Sequence, residues 1–125
     1  MLVPMSSVRR SEDRGKWAVV VLTGEVDCDL TPALREAVDS LTAEDHGLIV
    51  LDLGQVSFMD SAGLGVVVYG MRRAGALGGR LRLAGPGEQV RELLRLTGLD
   101  AAVEVFGDVP AACAYGPTPK GLERI

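Results

Sequence analysis

The chain has 125 residues, 47% of them apolar and 24% charged, which suits one domain with a buried core and excludes a disordered chain. Sixteen glycines and six prolines stay below the roughly 25–30% share that marks low complexity. A net charge of −4 and 4% aromatic residues lack the basic footprint and the stacking platforms of a nucleic-acid binder.

In chain order, Met5, Val8 and Arg10 fit a short edge strand, and Glu12-Asp13-Arg14-Gly15 is a turn. Trp17 to Thr23 is a β-branched run that predicts a buried strand, left through the polar Gly24-Glu25-Val26-Asp27. A helix follows, with Thr31 as its cap, Pro32 at the first helical position, and Leu34, Val38 and Leu41 on one face. Leu48 to Leu53 is nearly all apolar, as in a parallel strand covered on both faces. Gly54 to Met59 is expected to be a loop leading into Asp60-Ser61-Ala62-Gly63-Leu64-Gly65. Leu64, Val67, Val68 and Met71 mark the next helix, with Arg72 and Arg73 at its C-terminal end, where the dipole favours cations. The run from Gly75 to Gly79 ends it. Leu81 and Leu83 alternate with Arg80 and Arg82 in a short strand. Pro86-Gly87 opens a helix carrying Val90, Leu93 and Leu94 and stopping at Gly98. Val103, Val105 and Phe106 form a last strand, and Asp108 caps a helix from Val109 to Ala114. Gly116-Pro117-Thr118-Pro119 reads as a loose tail. Two strands followed by alternating helices and strands predict an α/β sheet, mostly parallel after the opening pair.

Enzyme readings fail on the residues they need. Ser61 precedes a helix as an elbow nucleophile does, but Met59 stands where the elbow needs glycine. The sole histidine, His46, sits in a polar connection on the far side of a strand. Gly63-Leu64-Gly65 starts like a dinucleotide fingerprint, yet Val68 replaces its third glycine. Asp27, Asp52 and Asp60 suit capping and loop hydrogen bonds better than a metal site, with Asp27 and Asp52 both near strand ends. Cys28 and Cys113 with one histidine cannot complete a structural zinc site, and fit small, partly buried thiols of a reducing cytosol. No apolar run approaches a membrane span, and Met1-Leu2-Val3-Pro4 lacks a signal pattern, so a soluble, cytoplasmic chain is expected. No cofactor is implied. Ser61 remains. Gly63 and Gly65 keep bulk away from it, and helix-start amides suit a phosphate. Phosphorylation beside Asp60 would add about −1.5 to −2 charges at one point of an interface.

Phe58-Met59-Asp60-Ser61-Ala62-Gly63-Leu64-Gly65 resembles the phosphorylation-site motif of STAS-domain anti-sigma factor antagonists. Gly24-Glu25-Val26-Asp27 and Leu51-Asp52-Leu53 resemble two further family segments at matching spacing. Ala62 stands where many members carry a second serine. The resemblance covers Val8 to Ala114, so residues 1–115 are expected to form one STAS domain and 116–125 a tail. It implies a small sheet with an antiparallel N-terminal strand pair and helices mainly on one face. It also implies a binding protein rather than an enzyme. The unmodified form would bind an anti-sigma factor that is also a serine kinase of the histidine-kinase-like ATPase type, and so release a sigma factor. Phosphorylation of Ser61 would end that binding, and a metal-dependent phosphatase would restore it. Asp27, Asp60, Ala62, Gly63, Leu64 and Gly65 would form the contact region around Ser61, with no metal. The alternative is a STAS scaffold or accessory subunit of a stressosome or a transporter.

Overall fold

The computed structural model describes residues 6–114 and 116; Met5 and the rest of the tail lie outside them. β1 (Ser7–Arg10) runs antiparallel to β2 (Ala18–Val26). Then come α1 (Thr31–Ala43), β3 (Leu48–Met59), α2 (Ser61–Ala76), β4 (Arg80–Ala84) and α3 (Glu88–Thr97). A single 3-10 turn, Leu99–Ala101, leads to β5 (Glu104–Phe106) and α4 (Val109–Cys113). The sheet order is β1-β2-β3-β4-β5, with every pair after the first parallel. The expected α/β class, antiparallel opening and element order are all present.

Strand order that advances in one direction explains the layering. Right-handed crossovers between successive parallel strands must put their helices on the same face. One core therefore gathers Leu22, Leu34, Ile49, Leu51, Leu64, Val67, Leu83, Val90 and Leu94, from three helices and the face of the sheet that they cover. Among the described residues, only α4 folds back over the opposite face, where Ala112 meets Trp17, Val19, Val21, Val50 and Ala84. On the outer seam between α1 and α2, Tyr69 donates to Asp39 at 2.5 Å, a bond that raises its hydroxyl pKa, while Arg35 lies 4.5 Å over its ring.

Several local expectations are corrected. Gly54 to Met59 is strand, not loop: β2 keeps pairing with β3 as far as Val26 opposite Met59, across two register shifts. Cross-strand bonding overrides the weak β-propensity of Gly54, Gln55 and Ser57. Asp52 is consequently inside β3 rather than near its end, and its carboxylate accepts from the Gly54 N–H at 3.0 Å. Thr31 does not cap α1. It is the first helical residue, Pro32 is the second, and the Thr31 hydroxyl donates to the Cys28 carbonyl. Cys28 is exposed rather than partly buried, whereas Cys113 is half-buried and its thiol pKa is pushed up by that burial.

Arg82 departs most from the pattern. Alternation with Leu81 and Leu83 makes it look solvated, yet it is 2% exposed. Its guanidinium lies 4.3 Å from the Trp17 ring centre and 5.0 Å from that of Phe106. It donates to Glu104 at 3.0 Å and to the Ala112 carbonyl at 2.8 Å. The alternation is kept, but the second face of the sheet is covered by α4, so this arginine is a core residue.

Candidate functional site at the end of the third strand

Asp27 and Asp60 each follow the last residue of one of two neighbouring parallel strands. Val26 ends β2, Met59 ends β3, and the two are opposite each other in register. The Asp60 N–H donates to the Val26 carbonyl at 3.3 Å, tying the two exits together. The Asp27 carboxylate turns back into its own loop and accepts from the Asp29 N–H at 3.0 Å and the Leu30 N–H at 3.3 Å. Asp27, rather than Thr31, thus organises the entry to α1.

Asp60 caps α2. In extended backbone, its Oδ1 accepts from the Ala62 N–H at 2.9 Å and the Gly63 N–H at 3.3 Å. Those amides, expected to be available to a phosphate, are already occupied. Ser61, at the first helical position, is exposed, and among the described residues its hydroxyl makes no hydrogen bond. The cap position next to it relieves the serine of that structural duty.

The two glycines differ. Gly65 is exposed, and a Cβ there would meet nothing within 4 Å. Gly63 is buried, and a Cβ there would come within 2.6 Å of Met59 Cγ and 2.8 Å of the Val26 carbonyl. Its role is close packing of α2 on the exits of β2 and β3 rather than an open surface. Leu64 also turns inward, at 8% exposed, and Ala62 is half-buried. The accessible part of the motif is therefore Ser61 and Gly65, beside half-buried Asp27 and Asp60 and exposed Phe58.

One residue of the site carries no sequence signal. Gln89, on the exposed side of the first turn of α3, holds the Met59 peptide with its carboxamide. A polar residue in a first helical turn looks like solvated surface, and only the packing of α3 beside β3 brings it there.

The fold does not bring His46 to Ser61. His46 precedes β3 and Ser61 follows it, so the strand's twelve residues separate them, about 35–40 Å at ~3.3 Å per residue. Among the described residues, no group of three His, Cys, Asp or Glu is placed to hold a metal ion. Two shallow hollows, of about 670 and 450 Å³, are lined by other residues and include none of Asp27, Asp60 and Ser61. Ser61 is exposed at the first position of α2.

Residues 9–112 match the STAS domain family, which is most of the chain. The chain belongs to the STAS domain family. Among relatives of this STAS domain is the anti-sigma-B factor antagonist of Bacillus subtilis, 36% identical over 86 residues, covering 69% of this chain and 78% of that one. A solved anti-sigma factor antagonist from Mycobacterium paratuberculosis superposes with a TM-score of 0.79 at 27% identity, covering 88% of this chain and 92% of that one. The Bacillus cell fate determinant SpoIIAA in its phosphorylated form gives 0.63 at 25% identity, covering 79% and 90%. Among the described residues of the STAS domain, no helix is long and apolar enough to cross a membrane.

Proposed function

We propose that this STAS domain is an anti-sigma factor antagonist whose unmodified form binds an anti-sigma factor with serine-kinase activity, freeing a sigma factor, and whose phosphorylation on Ser61 switches that binding off. The exposed Ser61 hydroxyl, unbonded among the described residues and beside a cap already filled by Asp60, carries the reading. Relatives named anti-sigma factor antagonists, and a structural neighbour described in a phosphorylated form, support it. In the transfer, Ser61 Oγ forms the bond to the γ-phosphorus of ATP, ADP leaves with the electron pair of the broken bond, and the serine proton passes to a base on the kinase. A metal-dependent phosphatase would reverse the modification by hydrolysis. Because Asp60 occupies the Ala62 and Gly63 amides, the new phosphoryl group would not be drawn into the helix end. It would remain at the surface, where like charge beside Asp60 repels an interface built for the neutral serine. Residues 1–115 make up the proposed switching domain, acting in the cytoplasm as a binding module without a catalytic group of its own.

The test is capture of the kinase on unmodified chain, followed by incubation with ATP and mapping of the phosphate by mass spectrometry. Phosphate on Ser61 alone is the expected result; stoichiometric phosphate on Ser6, Ser11 or Ser57 with none on Ser61 would remove the reading. A STAS scaffold with some other partner then moves ahead.

Asp27 supports the switch through its charge. Asp27→Asn keeps an acceptor oxygen for the Asp29 and Leu30 amides, so the loop should hold, at a cost of about 1 kcal/mol in stability. Phosphorylation or partner binding should weaken roughly tenfold, which corresponds to about 1.4 kcal/mol. Wild-type phosphorylation rate and wild-type affinity in the folded variant would take Asp27 out of the site.

A further inference from the structure

We infer that Gln89 is a positioning residue for the phosphorylation of Ser61, clamping the backbone that presents the serine to the kinase. The inference rests on the switch reading above.

The need for such a clamp follows from strand lengths. β4 pairs with β3 only from Leu48 to Asp52, while β3 continues to Met59. Among the described residues, the far end of β3 therefore has β2 on one side and no neighbouring strand on the other. Gln89 supplies the missing neighbour at the last residue of the strand. The Met59 N–H donates to Gln89 Oε1 at 2.9 Å, and Gln89 Nε2 donates to the Met59 carbonyl at 2.8 Å. A carboxamide presents one donor and one acceptor side by side, as a strand backbone does; a carboxylate lacks the donor, and a thioether lacks the donor and is only a weak acceptor.

The clamp is itself anchored. Val90 and Leu94 are each 1% exposed and fix the first turns of α3 in the core, so Gln89 reaches out from a rigid base. Asp60, the cap of α2, and Ser61 follow directly on the clamped peptide. Cutting both bonds leaves the pairing with β2, the buried Met59 side chain and the Asp60-to-Val26 bond to hold the strand end. The serine should still be exposed and still be bound by the kinase, but its Oγ should be less well aligned for in-line transfer. Misplacement of a reacting atom by about 1 Å costs up to ~10²-fold in rate. The penalty should therefore fall on kcat.

The test compares wild type with Gln89→Met, which removes both hydrogen bonds at similar length, and Gln89→Glu, which retains only an acceptor. Each is phosphorylated with ATP by the kinase captured on unmodified chain, with Ser61→Ala as the blank. Gln89→Met should lower kcat about tenfold while KM for the chain stays within about threefold. Gln89→Glu should fall between that variant and wild type. Amide exchange followed by NMR should rise at Met59 to Gly63 in Gln89→Met and stay unchanged at Leu94. A folded Gln89→Met chain with wild-type kcat, or one with unchanged exchange at Met59, would overturn the clamp while leaving the switch intact. A wild-type chain that takes no phosphate on Ser61 would overturn the switch and the clamp together.

Discussion

Ser61→Ala should bind the anti-sigma kinase about as tightly as wild type, and Ser61→Asp should bind it roughly 5- to 150-fold less tightly. The alanine removes one exposed hydroxyl that makes no hydrogen bond among the described residues, and leaves the cap of α2 with Asp60. The aspartate adds a carboxylate at the first helical position, where the helix dipole favours it by about 0.3–1 kcal/mol. That gain is present in the free chain, so the fold should survive. In the complex, the same carboxylate must lose water next to Asp60, whose Oδ1 already holds the Ala62 and Gly63 amides. No further amide of that pair is left to compensate the second charge. A desolvation cost of about 1–3 kcal/mol outweighs the dipole and sets the fold-change in affinity. Calorimetric titration of both variants into the kinase, with circular dichroism melts alongside, reads the two quantities separately. Equal affinities in two folded variants would show that the partner does not read charge at residue 61.

The second large effect lies on the other face of the sheet and touches stability alone. Arg82→Ala should destabilise the domain by about 2–4 kcal/mol. The substitution empties a site 2% exposed between Trp17 and Phe106 and leaves the Ala112 carbonyl without its arginine donor. Part of the loss is the desolvated cation–π contact, worth up to about 2 kcal/mol, and part is the charge-assisted hydrogen bonds. Glu104, half in solvent, escapes the larger penalty of a stranded buried charge. At a few degrees per kcal/mol for a domain of this size, the melting temperature should drop on the order of 10 °C. Ser61 sits on α2, which packs against the opposite face, so the variant should still accept phosphate well below its melting point. A melting temperature within ~2 °C of wild type would show that α4 does not depend on Arg82.

Hydrophobic patterning by itself determined the element order and the direction of the sheet. The apolar runs from Trp17 and Leu48 demanded strands covered on both faces, and the helical spacings of Leu34-Val38-Leu41 and Val90-Leu94 demanded helices to cover them. The start of a helix at Asp60-Ser61 was equally legible, because a local segment that starts a helix announces itself through its own residue types. Tertiary structure decided everything that depends on what lies opposite a residue. Pairing with β2 turned Gly54–Met59 into strand, and that extension carried Asp60 to the exit of β3 beside the exit of β2. Close approach to Val26 made Gly63 a packing residue, although in sequence it is indistinguishable from the open Gly65. The placement of α4 made a core residue of Arg82, and the end of β4 at Ala84 left the Met59 peptide for Gln89 to hold. Periodicity along a chain reports which side of an element is apolar. It holds no information on a polar side chain whose partner comes from an element 30 residues away, as Gln89 does for Met59.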